Sequence, residues 1–247
     1  MANYTSDYSF QIDGVSSDTY GIFVATLDPV PPAEQRYTTG FTGAPEPYAI
    51  PDNVFKPITY TVTFYKFFPD SMDDSAIRLF LSKGSVLQLS NYPLVYFKIL
   101  TITHTTRQTA DNKRIEYNVT FTLKPFKYGL SNNWITLSKG DTVVNSGTYS
   151  SRPLIELTAP EGTVKITVNG ADFTVENLNS GSAQNPSKYY IDSDRYIVYF
   201  PSDYYESNRL HTGYDSGLYP ELLVGNNTIT WTGTVDAVKI KTNWREI

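Results

Sequence analysis

Hydrophobic and polar residues alternate with a period of two over most of this chain. Residues 58–64 show the pattern most clearly, with Ile58, Tyr60, Val62 and Phe64 separated by threonines. Because successive side chains of a strand point to opposite faces of a sheet, this segment predicts a strand with one buried face.

Two longer alternating runs predict an antiparallel hairpin. Residues 95–106 are rich in Ile and Thr, and residues 115–123 alternate apolar side chains with polar ones. Residues 110–113, Ala-Asp-Asn-Lys, are suited to the turn between them. We expect one face of this hairpin to contact solvent and the other to contact the core.

One segment, residues 71–84, has the period of an amphipathic helix. Ser71 is suited to the N-cap, and Asp73 and Asp74 follow in the first turn. Ile77, Phe80 and Leu81 form an apolar face, and the basic Lys83 and then Gly84 come at the C-terminal end. Each residue type suits its position. Because this amphipathic helix stands alone among predicted strands, we expect its apolar face to cover a β core.

The second half of the chain predicts short strands separated by turns. The predicted strands are residues 134–137, 142–145, 154–157, 164–168, 172–175, 189–192, 195–200, 222–224, 228–232 and 235–241. The pairs Asp13-Gly14 and Asn169-Gly170 favour tight hairpin turns. This spacing is typical of a β-sandwich. Because the pattern breaks near residues 129–133, we predict a mainly β chain of two domains, 1–128 and 129–247.

Residues 29–57 form a proline-rich arm within the first domain. Seven prolines there exclude an interior strand, because proline donates no backbone hydrogen bond. The arm also carries large aromatic residues, which make it too apolar for a free linker. It either packs on its own domain or clasps a neighbouring subunit, and in the second case Phe41, Tyr48 and Phe55 are the candidate subunit contacts.

Composition restricts the classes of function. Aromatic residues make up 15% of the 247 residues, which favours strands. A net charge of −5 argues against attraction to DNA or to anionic lipid, and we expect no sequence-specific nucleic-acid binding. The chain has no cysteine, which excludes disulfides and thiolate metal sites. We find neither a signal peptide nor an apolar run of about 18 residues, so we expect folding in a cytoplasm and no membrane span.

Candidate catalytic groups are few. Carboxylate pairs leave a glycosidase open, and these pairs are Asp73 with Asp74, Asp192 with Asp194, and Asp203 with Glu206. A helix N-terminus explains the first pair and a turn the second. The two histidines, His104 and His211, lack the spacing of a metal site. We therefore predict no cofactor and no metal, while the glycosidase stays open at this point.

A tyrosine-rich loop near residues 201–220 suggests a contact surface. Exposed aromatic side chains on a β-sandwich can stack on sugar rings or dock a protein partner. Tyr204, Tyr205 and Tyr214 are the candidate residues. The alternative is that the tyrosines seal the loop against the core, as most large aromatic residues are partly buried.

Several stretches, in order, resemble the distal tail protein (Dit) family of siphophages. FQIDGVSSDTYGIFV (10–24) resembles the opening of the family, and IRLFLSKGSVLQLSNYPLVYFK (77–98) its helix, strand and Pro-containing turn. NSGTYSSRPLIEL (145–157) resembles the start of its C-terminal domain, and GNNTI (225–229) with NWR (243–245) its ending. The ordered set covers nearly the whole chain.

The resemblance implies a structural protein of the virion and not an enzyme. In the family, an N-terminal β-sandwich with one helix assembles into a homohexameric ring, and a C-terminal galectin-like or carbohydrate-module-like sandwich projects outward. The ring joins the tail tube protein to the tail-tip or tail-associated lysin protein, and DNA passes through its lumen. In some phages the second domain also anchors receptor-binding proteins.

Two alternatives remain open at this stage. A carbohydrate-binding adhesion module of a phage baseplate would use the tyrosine-rich loop to recognise a host glycan. A β-sandwich glycosidase would use a pair of carboxylates. The resemblance favours a hub located at the tail tip and assembled in the bacterial cytoplasm.

Overall fold

The computed structural model describes residues 6–40, 48–67, 74–108, 113–160, 162–178, 187–199 and 218–247. The fold is mainly β, with one α-helix among these residues, as predicted. The chain divides into two compact units, Met1–Leu130 with Ile247, and Ser131–Glu246. That each half is an independent domain stays a prediction.

The first unit is built on an antiparallel sheet. Its strands are β1 (Phe10–Ile12), β2 (Val15–Ser16), β3 (Ile22–Val24), β4 (Gln35–Gly40), β5 (Tyr48–Phe55), β6 (Ile58–Phe67), β7 (Val86–Leu89), β8 (Val95–Gln108) and β9 (Arg114–Gly129), with helix α1 (Ser75–Phe80) and a 3-10 turn (Ser17–Tyr20). The main sheet has the order β2-β1-β7-β8-β9-β6-β3, and β4 and β5 form a separate hairpin. The proline-rich arm therefore contains strands but none inside the main sheet.

One face of this sheet carries the core of the first unit. Along β6, Ile58, Tyr60, Val62 and Phe64 are buried, while Thr59 and Thr61 are exposed. Buried side chains of β1, β7, β8, β9 and α1 complete the same cluster. The period-two prediction for β6 and for the β8–β9 hairpin is confirmed.

The helix is shorter than predicted. It runs from Ser75 to Phe80, with Asp74 at the N-cap position and Leu81 at the C-cap. Ser71 and Asp73 lie outside the described residues, and Lys83 follows the helix instead of occupying its last turn. The apolar face is as predicted, because Ile77, Phe80 and Leu81 are all buried in the core. After Phe80 the Ser82 N–H donates to the Leu79 carbonyl at 3.1 Å, the three-residue spacing of a tight turn that ends the helix.

The Asp13-Gly14 turn joins β1 to β2 and also ties them to β7. Asp13 has φ 49° and Gly14 has φ 81°, the positive values that a tight type I′ turn requires. The Asp13 carboxylate accepts hydrogen bonds from the backbone nitrogens of Ser85 and Val86 and from the Ser85 hydroxyl, at 2.9–3.2 Å. Asp13 is therefore a structural residue of this turn.

The second unit contains two sheets, as a sandwich requires. Its strands are β10 (Ile135–Leu137), β11 (Thr142–Asn145), β12 (Leu154–Ala159), β13 (Gly162–Val168), β14 (Ala171–Leu178), β15 (Ser187–Asp192), β16 (Ile197–Tyr199), β17 (Gly225–Thr232), β18 (Ala237–Lys241) and β19 (Arg245–Glu246). One sheet has the order β10-β18-β12-β15-β16 and the other β11-β17-β13-β14. Buried side chains from both sheets form a single core. The finer galectin-like label stays an expectation.

One predicted strand of this unit, residues 222–224, is wrong. Leu222 forms only an isolated bridge to Ser151. The next residue, Leu223, donates its N–H to Asn227 Oδ1 at 2.7 Å, and its carbonyl accepts from Asn227 Nδ2 at 2.8 Å. An asparagine side chain thus replaces a neighbouring strand and folds the backbone into a turn.

Candidate assembly and binding surfaces

The candidate residues chosen from the sequence are only partly described. Phe41, Tyr204, Tyr205, Tyr214 and His211 lie outside the described residues. Tyr48 is the first residue of β5 and its backbone pairs with Gly40 of β4. Phe55, at the end of β5, places its ring 5.5 Å from that of Phe126 in an edge-to-face contact. The roles proposed for these residues stay predictions.

The face of the first sheet opposite its core is rich in threonine. We call this surface the threonine face; across β8, β9 and β6 it contains the rows Thr101–Thr122–Thr59, Thr103–Thr120–Thr61, Thr105–Asn118–Thr63 and Arg107–Glu116–Tyr65. The repeat arises because each strand carries a polar residue at every second position. The sequence predicted the polar positions, but the alignment of the three strands comes from their register.

Hydrogen bonds between neighbouring strands order the threonine face. The Thr61 and Thr120 hydroxyls are 3.2 Å apart, and the Thr63 hydroxyl donates to Asn118 Oδ1 at 2.7 Å. Arg107 and Glu116 lie opposite each other in the last row, and the other members carry no formal charge. The result is a polar and almost uncharged surface.

A second polar surface crosses the first sheet of the second unit. The strand register aligns Lys239 of β18, Glu156 of β12, Tyr190 of β15 and Tyr199 of β16, which we call the carboxylate row. Glu156 accepts a hydrogen bond from the Tyr190 hydroxyl at 2.9 Å. Lys239 and Lys188 approach its other oxygen at 3.3 and 3.7 Å.

The pairing fixes the charge of the carboxylate row. Burial raises the pKa of Glu156, but hydrogen bonds from Tyr190 and Lys239 outweigh burial, so its pKa lies below the ordinary value. Burial, with the hydrogen bond to Glu156, raises the pKa of Tyr190 to about 12. At neutral pH Glu156 is therefore a carboxylate and Tyr190 a neutral phenol.

Aromatic rings flank the carboxylate row. The ring centroids of Tyr190 and Tyr199 are 5.4 Å apart in a stacked arrangement, and Trp134 lies 6.1 Å from Tyr190. Lys241 places its ammonium 5.0 Å from the Trp134 ring. Such a combination of π faces and hydrogen-bonding groups can contact a sugar or a polar peptide. Sequence reasoning missed Glu156 and Trp134, because only the register brings them together with Tyr190.

The carboxylate pairs have structural partners. Asp192 Oδ1 accepts hydrogen bonds from the backbone nitrogens of Asp194 and Arg195 at 3.0 and 3.1 Å, which confirms the predicted turn between β15 and β16. Burial raises the pKa of Asp192. Asp74 bonds Arg78 and Tyr117. Asp203 and Glu206 lie outside the described residues.

The described residues contain neither a metal-binding cluster nor a membrane-spanning helix. Within the described ranges, no group of three or more His, Cys, Asp or Glu side chains is arranged to hold a metal ion. None of the helices in the part of the chain that the structure describes has the length and apolar character needed to cross a membrane. His104 lies half-buried in β8.

Comparisons with known proteins locate this fold among phage tail proteins. No protein-family model matches the sequence, and no curated protein matches it. The solved Dit protein of phage SPP1, described as a paradigm of the hub adsorption apparatus in phages infecting Gram-positive hosts, matches with a TM-score of 0.65 and 12% identity over 95% of this chain and 98% of its own. A chain of the phage P2 baseplate in its activated conformation matches with a TM-score of 0.55 and 8% identity, over 97% of each chain. This chain therefore shares its fold with a phage hub protein over nearly its full length, and the resemblance to distal tail proteins is confirmed at the level of the fold.

Proposed function

We propose that this protein is a structural hub of a phage tail tip. Six copies form a ring that joins the tail tube protein to the tail-tip or tail-associated lysin protein, and DNA leaves the particle through the lumen. The observation that carries the proposal is the fold likeness to the SPP1 Dit protein, which extends across both units of the chain. Because fold alone does not specify function, the surfaces must also fit the role.

The threonine face fits a passage for DNA. A basic surface would bind the phosphate backbone and slow its movement, whereas a strongly acidic one would repel it. The rows of Thr and Asn offer neither effect, and the chain as a whole carries a net charge of −5. A hub of this kind catalyses no reaction. The carboxylates of Asp13, Asp74 and Asp192 all have structural hydrogen-bond partners, which agrees with this role.

Native mass spectrometry of the purified full-length chain tests the ring directly. We expect a species of six copies, visible as an annulus by negative-stain electron microscopy. A monomer at every concentration would contradict the proposal, and so would turnover of a bacterial wall polymer that a single carboxylate substitution abolishes. Antibody labelling of phage particles should place the protein at the tail tip.

Binding of a host glycan is a second candidate function, located in the second unit. The supporting observation is the aromatic and charged surface around Glu156, Tyr190 and Trp134. Aromatic stacking on sugar rings, combined with a few polar groups that fix the orientation of the ligand, is a common basis of glycan recognition.

A glycan array probed with the full-length chain tests this function. Loss of binding on Tyr190→Ala would assign it to the carboxylate row. Loss on Tyr204→Ala or Tyr205→Ala would assign it to the tyrosine-rich loop. Binding by neither surface would leave the hub function intact, because a receptor-binding protein can occupy the second unit instead.

A further inference from the structure

One edge of β8 has no neighbouring strand over most of its length. β7 pairs with β8 only through Val86–Lys98 and Leu87–Phe97, and the Ile99 N–H donates to the Ser85 carbonyl. From residue 100 to residue 107, no strand in the described ranges lies on the side of β8 away from β9. These residues include a single charge, Arg107, and no proline.

A second open edge lies on β6, two strands away. β3 pairs with β6 only at Tyr65 and its two neighbours. Residues 58–63 have no strand on the side away from β9 among the described parts of the chain. This stretch, Ile-Thr-Tyr-Thr-Val-Thr, contains neither a charge nor a proline.

The two open edges lie at the same level of the sheet. Thr103 and Thr61 both pair with Thr120, so they occupy one row on opposite sides of β9. Both strands are antiparallel to β9, so β8 and β6 run parallel to each other. β8, β9 and β6 form a ribbon of three strands. A second copy placed beside this ribbon would therefore bring its open β6 edge against the open β8 edge of the first copy, and the two strands would run parallel.

Open edges of this length are unusual in a protein that stays monomeric. Soluble proteins normally protect an edge strand with lysine, proline, a bulge or very short length. Residues 58–63 carry none of these protections, and residues 100–107 carry only Arg107 at one end and, at the other, a register shift between Ile99 and Thr101. Their unpaired backbone groups are a template for strand addition.

We infer that the β8 edge of one copy pairs with the β6 edge of the next and that this contact closes the ring. The inference rests on the proposed hub function and identifies the surface through which it assembles. The contact is heterologous, because two different edges meet, and a heterologous contact generates a closed ring when its rotation closes.

The same pairing assigns a side to the threonine face. The opposite face of β6 and β9 carries the core, which helix α1 of the same chain covers. A continuous sheet around the ring therefore leaves the threonine face as its free surface, and this surface lines the lumen. Keeping threonine on one side in every copy requires a register shift of zero or an even number of residues, because an odd shift exchanges the two faces.

Engineered disulfides test the contact, and the natural chain is a clean background because it contains no cysteine. Thr61→Cys is combined in one chain with Thr101→Cys, Thr103→Cys or Thr105→Cys. Within a chain Thr61 and Thr103 are separated by two strand spacings, about 9.6 Å. This separation exceeds the Cα distance that a disulfide can bridge, about 7 Å, so any disulfide must join two copies.

We expect one of the three double variants, after mild oxidation, to give a ladder of covalent oligomers up to six copies in a denaturing gel without reductant. The single variants Thr61→Cys and Thr103→Cys should give no ladder, because each ring contact would then hold only one thiol. Thr61→Cys combined with His104→Cys is the matched control, since His104 pairs with Val119 on the core side of the sheet.

The outcomes separate this inference from the proposed function. A six-copy mass in native spectrometry without a ladder from any of the three variants overturns the β8–β6 contact and leaves the hub function standing. A ladder from the His104 control as strong as from the others also overturns the contact. A monomeric mass for all variants and for the natural chain contradicts both. Circular dichroism of each variant verifies that the substitutions leave the fold intact.

Discussion

Tyr117 of β9 donates a hydrogen bond of 2.7 Å to the carboxylate of Asp74, the residue that precedes helix α1. Asp74 also pairs with Arg78 one turn later, at 2.8 Å. The Tyr117 side chain is fully buried and its ring stacks on Phe64 at 4.9 Å. A single phenol thus joins the centre of the sheet to the start of the helix.

Removal of this hydroxyl should loosen the helix. We expect Tyr117→Phe to lower the free energy of unfolding by about 1–2 kcal/mol, the range of a hydrogen bond to a charged group that keeps another partner. Chemical denaturation monitored by circular dichroism measures the change. Tyr65→Phe is the control, because the Tyr65 hydroxyl makes no hydrogen bond within the described residues; an equal loss there would contradict the assignment.

Asp74 should make stability depend on acid pH. The hydrogen bond from Arg78, opposed by burial and aided by Tyr117, holds the pKa of Asp74 below its ordinary value of 3.8. A depressed pKa in the folded state contributes stability that is complete above 3.8 and is lost as pH falls through the folded pKa. Thermal melts from neutral to acid pH should therefore show a smaller acid-induced fall for Asp74→Asn than for the natural chain. An equal acid-induced fall in melting temperature for Asp74→Asn and for the natural chain would contradict a role for Asp74 in the pH dependence of stability.

Gly147 should tolerate no side chain. A Cβ atom at this position would lie 2.2 Å from the Arg245 carbonyl oxygen and 2.8 Å from its nitrogen, and both are backbone atoms that cannot rotate away. We expect Gly147→Ala to cost about 3 kcal/mol or more of stability, at the upper end for overpacking. The exposed neighbour offers the control, since Ser146→Ala should change the melting temperature little.

Asn227 should be irreplaceable by an apolar residue of similar size. It is fully buried, and its amide bonds the carbonyls of Leu223 and Gly225, both at 2.8 Å. Its oxygen accepts from Leu223 N and from Asn169 Nδ2, both at 2.7 Å. Asn227→Leu leaves these groups without partners, so we expect a loss of about 3 kcal/mol or more. The exposed Asn226→Ala should be near neutral in the same denaturation assay.

Deletion of part of the proline-rich arm should weaken assembly while the domain stays folded. The deletion spans Gly40 to Pro51, which removes the last residue of β4, the first four residues of β5 and the segment between them. A stiff segment loses little conformational entropy on docking and so can contribute strongly to a subunit contact. We expect fewer six-copy species in native mass spectrometry and an unchanged circular dichroism spectrum. An unchanged oligomer mass would instead indicate that the arm packs on its own domain.

The two asparagine motifs show what short sequence patterns can and cannot indicate. Asn145 accepts a hydrogen bond from the Gly147 N–H at 3.0 Å and donates to the carbonyls of Tyr149 and Leu222. Its motif and that of Asn227 are part of the resemblance, but the residues they bond lie up to 84 positions away along the chain. The motif was visible in the sequence, whereas its partners were not.

The sequence by itself determined the elements and their faces. The alternation of apolar and polar residues indicated the buried side of β6 and β9, and the apolar face of α1 indicated its core contacts. The pairs Asp13-Gly14 and Asn169-Gly170 located two hairpin turns. These features depend on residues within about ten positions of each other, where side-chain direction and backbone conformation follow from local geometry.

The tertiary structure alone decided which faces and edges meet. Thr103 and Thr61 share a row only because both strands pair with Thr120, and Glu156 meets Lys239 and Tyr190 only through the register of three strands. Alternation fixes the side on which a residue lies but leaves strand order and register open, since these depend on the packing of the whole sheet. For the same reason the open edges of β8 and β6, on which ring closure is proposed to depend, have no signature in the sequence.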